Sequence, residues 1–122
     1  MQNRHFILLL SIFALFNANH LKAQQKDIYT FSANKLTYSQ DNNIIEATGN
    51  VVAKNQEGKQ ISSDKIIYNK KTQQLSTFGN SKFSDDKGGT LFAESFEYNL
   101  EKKIISAEKK VKFIDKEKNT YY

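Results

Sequence analysis

A repeat that keeps register at thirty residues is the feature that most constrains how this chain can fold. Equivalent positions are apolar or small in each copy, and a fourth copy begins near the end. The equivalent sets are Phe31, Ile61, Leu91 and Tyr121; Ala33, Ser63 and Ala93; Leu36, Ile66 and Phe96; Tyr38, Tyr68 and Tyr98; Ile45, Leu75 and Ile105; and Ala47, Thr77 and Ala107. A period of this length is typical of one supersecondary unit stacked on its neighbours, because a single unit cannot bury its own apolar face. We therefore look for function on an extended stacked surface.

Each copy reads as two extended segments joined by polar turns. In the second segment, which begins at Ile45, Leu75 or Ile105, apolar or small residues alternate with mostly polar ones. A period of two predicts a strand with one buried face, and no helical stripe of useful length follows residue 23. Polar, glycine- and Asx-rich links between the segments predict turns between antiparallel neighbours. These links are residues 40–43, 70–73 and 101–103, and residues 55–58, 85–89 and 115–119.

Glycine positions predict where the strands bend. Gly49 and Gly79 lie in the middle of the second segment, and a glycine inside a strand usually marks a bend or a bulge. We expect these residues to be corners that fold one long strand into two. In the third copy Lys109, Lys110 and Lys118 occupy positions of glycine, asparagine and glycine, which predicts a gentler bend or a wider opening there.

The first segment carries a corner of its own. Phe31 and Ala33 share one parity, whereas Leu36 and Tyr38 share the other, and the switch recurs in the next two copies. One extra residue flips every later side chain to the opposite face, so the switch requires a bulge or kink. Stacked strands that all bend at equivalent places predict two facing sheets with a groove between them.

The N-terminus has the layout of a secretory signal peptide. Arg4 and His5 precede an apolar run over residues 6–16, and a polar segment ends at Ala23. We predict a signal peptide over residues 1–23 and one domain over residues 24–122; an uncleaved membrane anchor is the alternative. An exported domain without cysteine must depend on strand pairing and a shared core.

Composition argues against an enzyme. Beyond residue 23 the chain has no histidine, cysteine, arginine or tryptophan, which removes the Ser-His-Asp triad, thiol nucleophiles and the usual zinc sites. We expect no catalytic residue, no metal and no cofactor. Loss of Arg4 and Lys22 lowers the formal charge of +5 to +3, all of it from lysine. These lysines either cover solvated strand faces and turns or attract anionic partners such as phosphorylated lipid head groups. Nucleic acid is not an expected partner.

Four stretches carry a resemblance to a known family. They are ANKLTY over residues 33–38, EATGNV over 46–51, SDKIIY over 63–68 and TFGN over 77–80. They resemble the repeated signature of the OstA-like family, which includes the periplasmic lipopolysaccharide-transport protein LptA and the N-terminal periplasmic domain of LptD. The resemblance extends over most of the chain after the signal peptide.

The resemblance implies an all-β fold, a twisted and open β-jelly-roll of stacked thirty-residue repeats. It also implies a periplasmic location, in which the chain could associate with the outer membrane. The implied function is a groove that shields the acyl chains of lipopolysaccharide. Its implied partners are lipopolysaccharide and other OstA-like domains joined through edge strands. Other functions stay open: a structural strand-pairing adaptor, and a surface β-solenoid adhesin or carbohydrate binder. The chain is expected to be either a complete or truncated LptA-like product or the front of a longer LptD-like chain.

Candidate groove residues follow from the inward parity of the second segment. They are Ile45, Ala47, Val51, Leu75, Phe83, Ile105, Val111 and Phe113. The same ladder is equally consistent with plain core, because stacked repeats need one for stability alone. Tyr38, Tyr68 and Tyr98 are expected as a stacked aromatic ladder at the sheet margin rather than a sugar platform. Asp64 and Glu94, thirty residues apart, are expected as solvated strand-end residues.

Overall fold

A computed structural model of the chain describes residues 28–122, so the predicted signal peptide lies outside the described residues. The described part is all β, and its eleven strands form one antiparallel sheet. The strands are β1 (Tyr29–Ser32), β2 (Lys35–Tyr38), β3 (Ile44–Asn55), β4 (Gln60–Asn69), β5 (Gln74–Phe78), β6 (Ser81–Ser84), β7 (Thr90–Ala93), β8 (Ser95–Asn99), β9 (Ile104–Glu108), β10 (Lys112–Ile114) and β11 (Thr120–Tyr121). The predicted fold class, a jelly-roll of bent antiparallel strands, is confirmed.

The sheet divides along its length into two arms. Arm A contains β1, β6, β7, β10 and β11 with residues 51–55 of β3 and 60–63 of β4. Arm B contains β2, β5, β8 and β9 with residues 44–48 of β3 and 65–69 of β4. Strands β3 and β4 run through both arms, whereas the later strands are separate on each side. The continuous strands therefore hold the arms together at the start of the stack.

The corners between the arms share one backbone conformation. The φ angles are +83° and +47° at Gly49 and Asn50, +85° and +47° at Gly79 and Asn80, and +64° and +55° at Lys109 and Lys110. The predicted gentler bend at the third corner is therefore wrong, since both lysines adopt the left-handed conformation. Lys118, at φ +72°, likewise matches Gly58 and Gly88 of the earlier copies.

Pairing with the neighbouring strand explains why the third corner keeps its shape. The backbone N–H of Asn34 donates to the carbonyl of Gly49 at 2.9 Å, and Asp64 and Glu94 donate in the same way to residues 79 and 109. This tertiary bond fixes the corner whichever residue occupies it. Glycine corners were predicted to divide one long strand into two, and the first corner does not do so. There β3 continues through the corner with a register shift between Thr48 and Val51. At the second corner residues 79–80 separate β5 from β6, as predicted.

The parity switch and the turns are confirmed. In β4 the buried residues are Ile61 and Ser63 and then Ile66 and Tyr68, so the inward parity changes within one strand. All six predicted turns join antiparallel neighbours. In the second turn of each copy an Asx side chain accepts two backbone N–H groups at 2.8–3.1 Å. The accepting residues are Asn55, Asp85 and Asp115.

Candidate functional site

The inner face of each arm carries a row of directly paired residues. In arm A the row is Phe31, Ala53, Ile61, Phe83, Leu91, Phe113 and Tyr121. In arm B it is Tyr38, Ile45, Tyr68, Leu75, Tyr98 and Ile105. These rows unite the predicted repeat positions, because each thirty-residue step moves along the row by two strands. The two rows form the walls of the space between the arms.

Aromatic pairs join the two walls. The ring centroids of Phe31 in arm A and Tyr68 in arm B are 5.8 Å apart, and those of Phe83 and Tyr98 are 5.6 Å apart with their planes at 82°. These are favourable aromatic geometries. The prediction of tyrosines stacked at the sheet margin is wrong for Tyr68 and Tyr98, which are buried. In their row the tyrosines alternate with aliphatic residues, and Tyr68 and Tyr98 each pack on a phenylalanine of the opposite arm instead of on another tyrosine.

The groove opens at the end of the stack formed by β1 and β2. This mouth is a cavity of about 540 Å³ with a mostly apolar lining. A second open cavity, of about 630 Å³, lies beside Gly79 and Asn80. The lining of the mouth is Ile28, Tyr29, Thr30, Phe31, Leu36, Tyr38, Ile45, Tyr68, Lys70 and Gln73. Leu36 is 38% exposed and Tyr38 is 54% exposed, although both continue the inner wall. The mouth is thus an exposed apolar surface at the end of a buried one.

Polar groups lie at the rim of this mouth. Lys70 and Gln73 belong to the turn that follows β4. Burial raises the pKa of the Tyr68 phenol above its ordinary value, and the side chain of Gln73 opposes the shift by hydrogen bonding. Tyr68 therefore stays neutral at physiological pH, and Lys70 supplies a positive charge beside the apolar lining.

The predicted groove residues occupy four environments. Ala47, Val51 and Leu75 are fully buried core, at most 1% exposed. Ile45 is buried and lines the mouth, while Phe83, Ile105 and Val111 are partly buried against the core. Phe113 is 38% exposed near the opposite end of the row in arm A.

Of the ten residues that line the mouth, only Ile45 is among the predicted groove residues, and four of the other nine belong to the repeat sets. They are Phe31, Leu36, Tyr38 and Tyr68. All four were visible in the repeat, but they belong to the first segment of each copy, and the candidates were taken from the second. Antiparallel pairing places both segments in the same rows, so the repeat register contained the missing signal.

The second corner has a buried hydroxyl cluster that the other corners lack. Thr77 and Ser81 are 1% exposed, and their hydroxyl oxygens are 2.6 Å apart. The backbone N–H of Phe96 donates to the Thr77 hydroxyl at 2.9 Å. Ser63 donates to the carbonyl of Gly79 at 2.8 Å, and Ser81 to that of Glu94 at 3.1 Å. The Thr77 hydroxyl therefore gives the Phe96 N–H an acceptor, while the two serines add a second donor to carbonyls that already accept backbone N–H groups.

The acidic residues of the corners do not form a metal site. Asp64 and Glu94 line the same open depression, and Asp64 accepts a hydrogen bond from the side chain of Asn80 at 3.0 Å. Within residues 28–122 no group of three or more metal-ligating side chains is assembled. Over the same residues no helix is long and apolar enough to cross a bilayer.

Known proteins resemble this chain in sequence family and in structure. A family model described as "Lipopolysaccharide-assembly, LptC-related" matches residues 13–112, and the match begins inside the predicted signal peptide. No curated protein sequence is significantly similar. One similar solved structure is LptH from Pseudomonas aeruginosa, described as the LptA-homologous periplasmic component of the lipopolysaccharide transport device. It shares 12% identity at a TM-score of 0.39, over 67% of this chain and 82% of LptH.

Proposed function

The chain belongs to the LptC-related lipopolysaccharide-assembly family, and from this premise we propose that its groove binds the acyl chains of lipopolysaccharide during transport through the periplasm. The predicted membership of the OstA-like group is confirmed, with LptC-related proteins as the matching members. The family is one of transport components, in agreement with the expectation that the chain is not an enzyme.

The observation that carries the proposal is the apolar mouth. Leu36 and Tyr38 leave large apolar surfaces in water, and they continue a wall whose next members are buried. Covering apolar surface contributes about 25 cal/mol per Å², so an acyl chain that enters the mouth is stabilised without any covalent chemistry. The mechanism is passive, because the groove shields the chains and movement comes from other components.

Deeper entry requires the walls to separate. The Phe83–Tyr98 pair and the fully buried Leu75 occupy the centre of the space between the arms. Acyl chains would first cover the mouth and then displace the aromatic pairs one after another. Lys70 at the rim would meet the phosphorylated head group, which stays in water.

Photocrosslinking in cells tests the proposal with an internal control. A photoreactive residue at Leu36 samples the mouth, whereas one at Phe78 samples an exposed apolar position, 45% accessible, on the outer face of arm B. We expect a lipopolysaccharide adduct at position 36 and none at position 78. Equal adducts at both positions would mean non-specific contact, and the absence of any adduct at 36 would contradict the proposal.

Edge-strand pairing with another OstA-like domain is the second part of the proposal. Among residues 28–122, strand β9 pairs only with β8, and β2 pairs only with β3, so within this part of the chain each is a free edge of arm B. An exposed edge presents unpaired N–H and C=O groups that a partner strand can use. The inner row ends in Ile105 on β9 and begins with Tyr38 on β2, so pairing these two residues between copies would continue the alternation of tyrosine and aliphatic residues.

Charge supports the same register. When Ile105 faces Tyr38 of a second copy, Glu108 faces Lys35 of that copy, and opposite charges in direct cross-strand pairs are favourable. The chain has no cysteine, which makes disulfide trapping clean. When a Lys35→Cys variant is mixed with a Glu108→Cys variant, the two chains should form a disulfide with each other on oxidation. Thr37→Cys, two residues away on the same face, is the matched control and should crosslink poorly with Glu108→Cys; equal yields would contradict this register.

A further inference from the structure

Charge is divided unequally between the two arms. In the strands of arm A every charged residue is a lysine, namely Lys54, Lys82 and Lys112. The strands of arm B carry both signs, and Lys65 forms an ion pair with Glu46 at 3.1 Å. None of the three lysines of arm A forms an ion pair with a described carboxylate. Arm A therefore presents one sign of charge without internal compensation.

All three lysines lie on the outer face. They neighbour the inward residues Ala53, Phe83 and Phe113 along their strands, and side chains alternate between the faces of a sheet. Lys82 and Lys112 pair directly with Phe92 from either side. Their ammonium groups lie 5.7 Å and 5.0 Å from the centre of its ring, within cation–π range.

The rest of this outer face is hydroxyl-rich or partly apolar. Val52, Phe92 and Ile114 are half-buried, and the other strand positions are serine, threonine or glutamine. Acidic groups lie beyond both ends of the strands: Asp64 and Glu94 share a depression with Lys82 at the corner. The turns at the opposite end carry acids and lysines together, namely Glu57, Asp85, Asp86, Asp115 and Glu117 with Lys59, Lys87, Lys116 and Lys118. The face is thus a basic sheet surface with an acidic boundary, and it does not line the groove.

We propose that the outer face of arm A docks on an anionic phospholipid surface. A row of lysines near such a surface strengthens binding by about fivefold for each lysine, and the absence of acids from the strands removes the opposing repulsion. Partly exposed aromatic and aliphatic residues among the lysines suit the head-group region. A protein partner fits less well, because lysine is depleted from interface cores and the most exposed apolar strand residues of the outer faces, Ile44, Phe78 and Ile104, belong to arm B.

Docking in this way would orient the groove. Arm A would lie against the membrane, and the free edges β2 and β9 of arm B would stay accessible to partner strands. The inference goes beyond the proposed lipid groove and does not depend on it, because the lysines and the groove occupy opposite faces of the same arm.

Vesicle binding of the full chain tests the inference. Phosphatidylcholine vesicles with and without phosphatidylglycerol separate the charge-dependent binding from any contribution of the apolar residues 6–16. The variant K54Q/K82Q/K112Q should lose on the order of 100-fold of the phosphatidylglycerol-dependent affinity, and added salt should weaken the wild type but hardly affect the variant. Binding to lipopolysaccharide should be unchanged, which separates this test from that of the groove.

A charge-matched variant decides whether position matters. K71Q/K102Q/K103Q removes three lysines from the turns of arm B and should lose less than about fivefold. Equal losses in the two triple variants would show a net-charge effect and overturn the proposal. Full retention of vesicle binding by K54Q/K82Q/K112Q would also overturn it and would point to an acidic protein face as the partner. Unchanged melting temperatures in both variants show that the fold is intact.

Discussion

The second corner and its two neighbours solve one backbone problem with different side chains. All three corners have consecutive residues at positive φ and a 2.9 Å bond from the adjacent strand. At the second corner Ser63, Thr77 and Ser81 fill the interior with hydroxyls. The equivalent interior residues in the other copies are alanine and valine: Ala33, Ala47 and Val51, and Ala93, Ala107 and Val111.

This difference shows that backbone pairing with the neighbouring strand, and not the conformational preference of the residue, determines the backbone conformation at each corner. At the first corner the β3–β4 ladder continues past Ala47, so its backbone groups are paired and the interior can be apolar. At the third corner no further described strand lies beside β9, so no ladder is interrupted there. The β5–β8 ladder ends at Ser76 and Glu97, and the Thr77 hydroxyl replaces the next backbone acceptor. Hydroxyl residues therefore occur where the ladder is interrupted.

The largest expected effect comes from removing that hydroxyl. Thr77→Ala leaves the buried N–H of Phe96 without its acceptor, and an unsatisfied buried donor costs about 1–3 kcal/mol. Urea unfolding should show a free energy of unfolding lower by that amount. Thr77→Ser, which keeps the hydroxyl, is the control and should retain most of the stability. If Thr77→Ala were as stable as the wild type, the three corners would be energetically alike and the comparison would fail.

A glycine substitution separates backbone conformation from contact. Gly79→Ala places a methyl group at positive φ, which costs about 1–2 kcal/mol, and also 2.6 Å from a carboxylate oxygen of Asp64. Gly58→Ala has nearly the same φ, but its nearest neighbour is 3.6 Å away. Both variants should lower the free energy of unfolding, and Gly79→Ala should do so more. Equal losses would show that the Asp64 contact relaxes at no cost.

These corners also show how far the sequence could predict the molecule. Period, parity and turn chemistry predicted the strands, the bends and the all-β class, because each is a local pattern with a fixed geometric meaning. The conformation at Lys109 and Lys110 could not be predicted in that way. Lysine disfavours positive φ, and only the tertiary bond from Glu94 to residue 109 overrides that preference.

The candidate site was predictable only in part. Inward parity correctly placed Ala47, Val51 and Leu75 inside the fold but gave no measure of depth, so core and lining looked alike. Depth depends on which strands are central, and that follows from pairing across the whole sheet. The same limit applies to Tyr68 and Tyr98, since the phenylalanine that packs on each lies far away in sequence.

Restoring glycine at the third corner should give a smaller change of opposite sign. Lys109→Gly relieves the left-handed strain of lysine but adds chain entropy to the unfolded state, so a net gain of about 0.5–1 kcal/mol is expected. Lys102→Gly, in a nearby turn at a residue without positive φ, is the control and should lower stability by about 0.4–1 kcal/mol. A loss at position 109 would mean that the lysine side chain itself stabilises the corner.

The smallest expected effect is local and depends on pH. Asp115 and Asn55 are equivalent turn acceptors, but only Asp115 titrates. Desolvation raises the pKa of Asp115, yet hydrogen bonds from Asn119, the Glu117 backbone and Tyr121 outweigh it and hold that pKa below its usual value. Because the pKa of Asp115 is lower in the folded state than in the unfolded state, its carboxylate stabilises the fold at pH values above the unfolded-state pKa. This stabilisation is lost as pH falls through the folded-state pKa. Relative to the intrinsic exchange rate at each pH, amide hydrogen exchange in the β10–β11 hairpin should therefore accelerate below about pH 4, while that of the Asn55 turn should not change.

Asp115→Asn tests whether the charge or the acceptor matters. The variant keeps the side-chain oxygen that accepts the N–H groups of Glu117 and Asn119, as Asn55 does for the turn of the first copy. It should preserve the hairpin at neutral pH and abolish the acid-dependent acceleration, so that the third turn behaves like the first. Acceleration that persists in the variant would assign the effect to other carboxylates. Loss of the hairpin at neutral pH would instead show that the charge-assisted bonds from Asn119 and Tyr121 hold β11 in place.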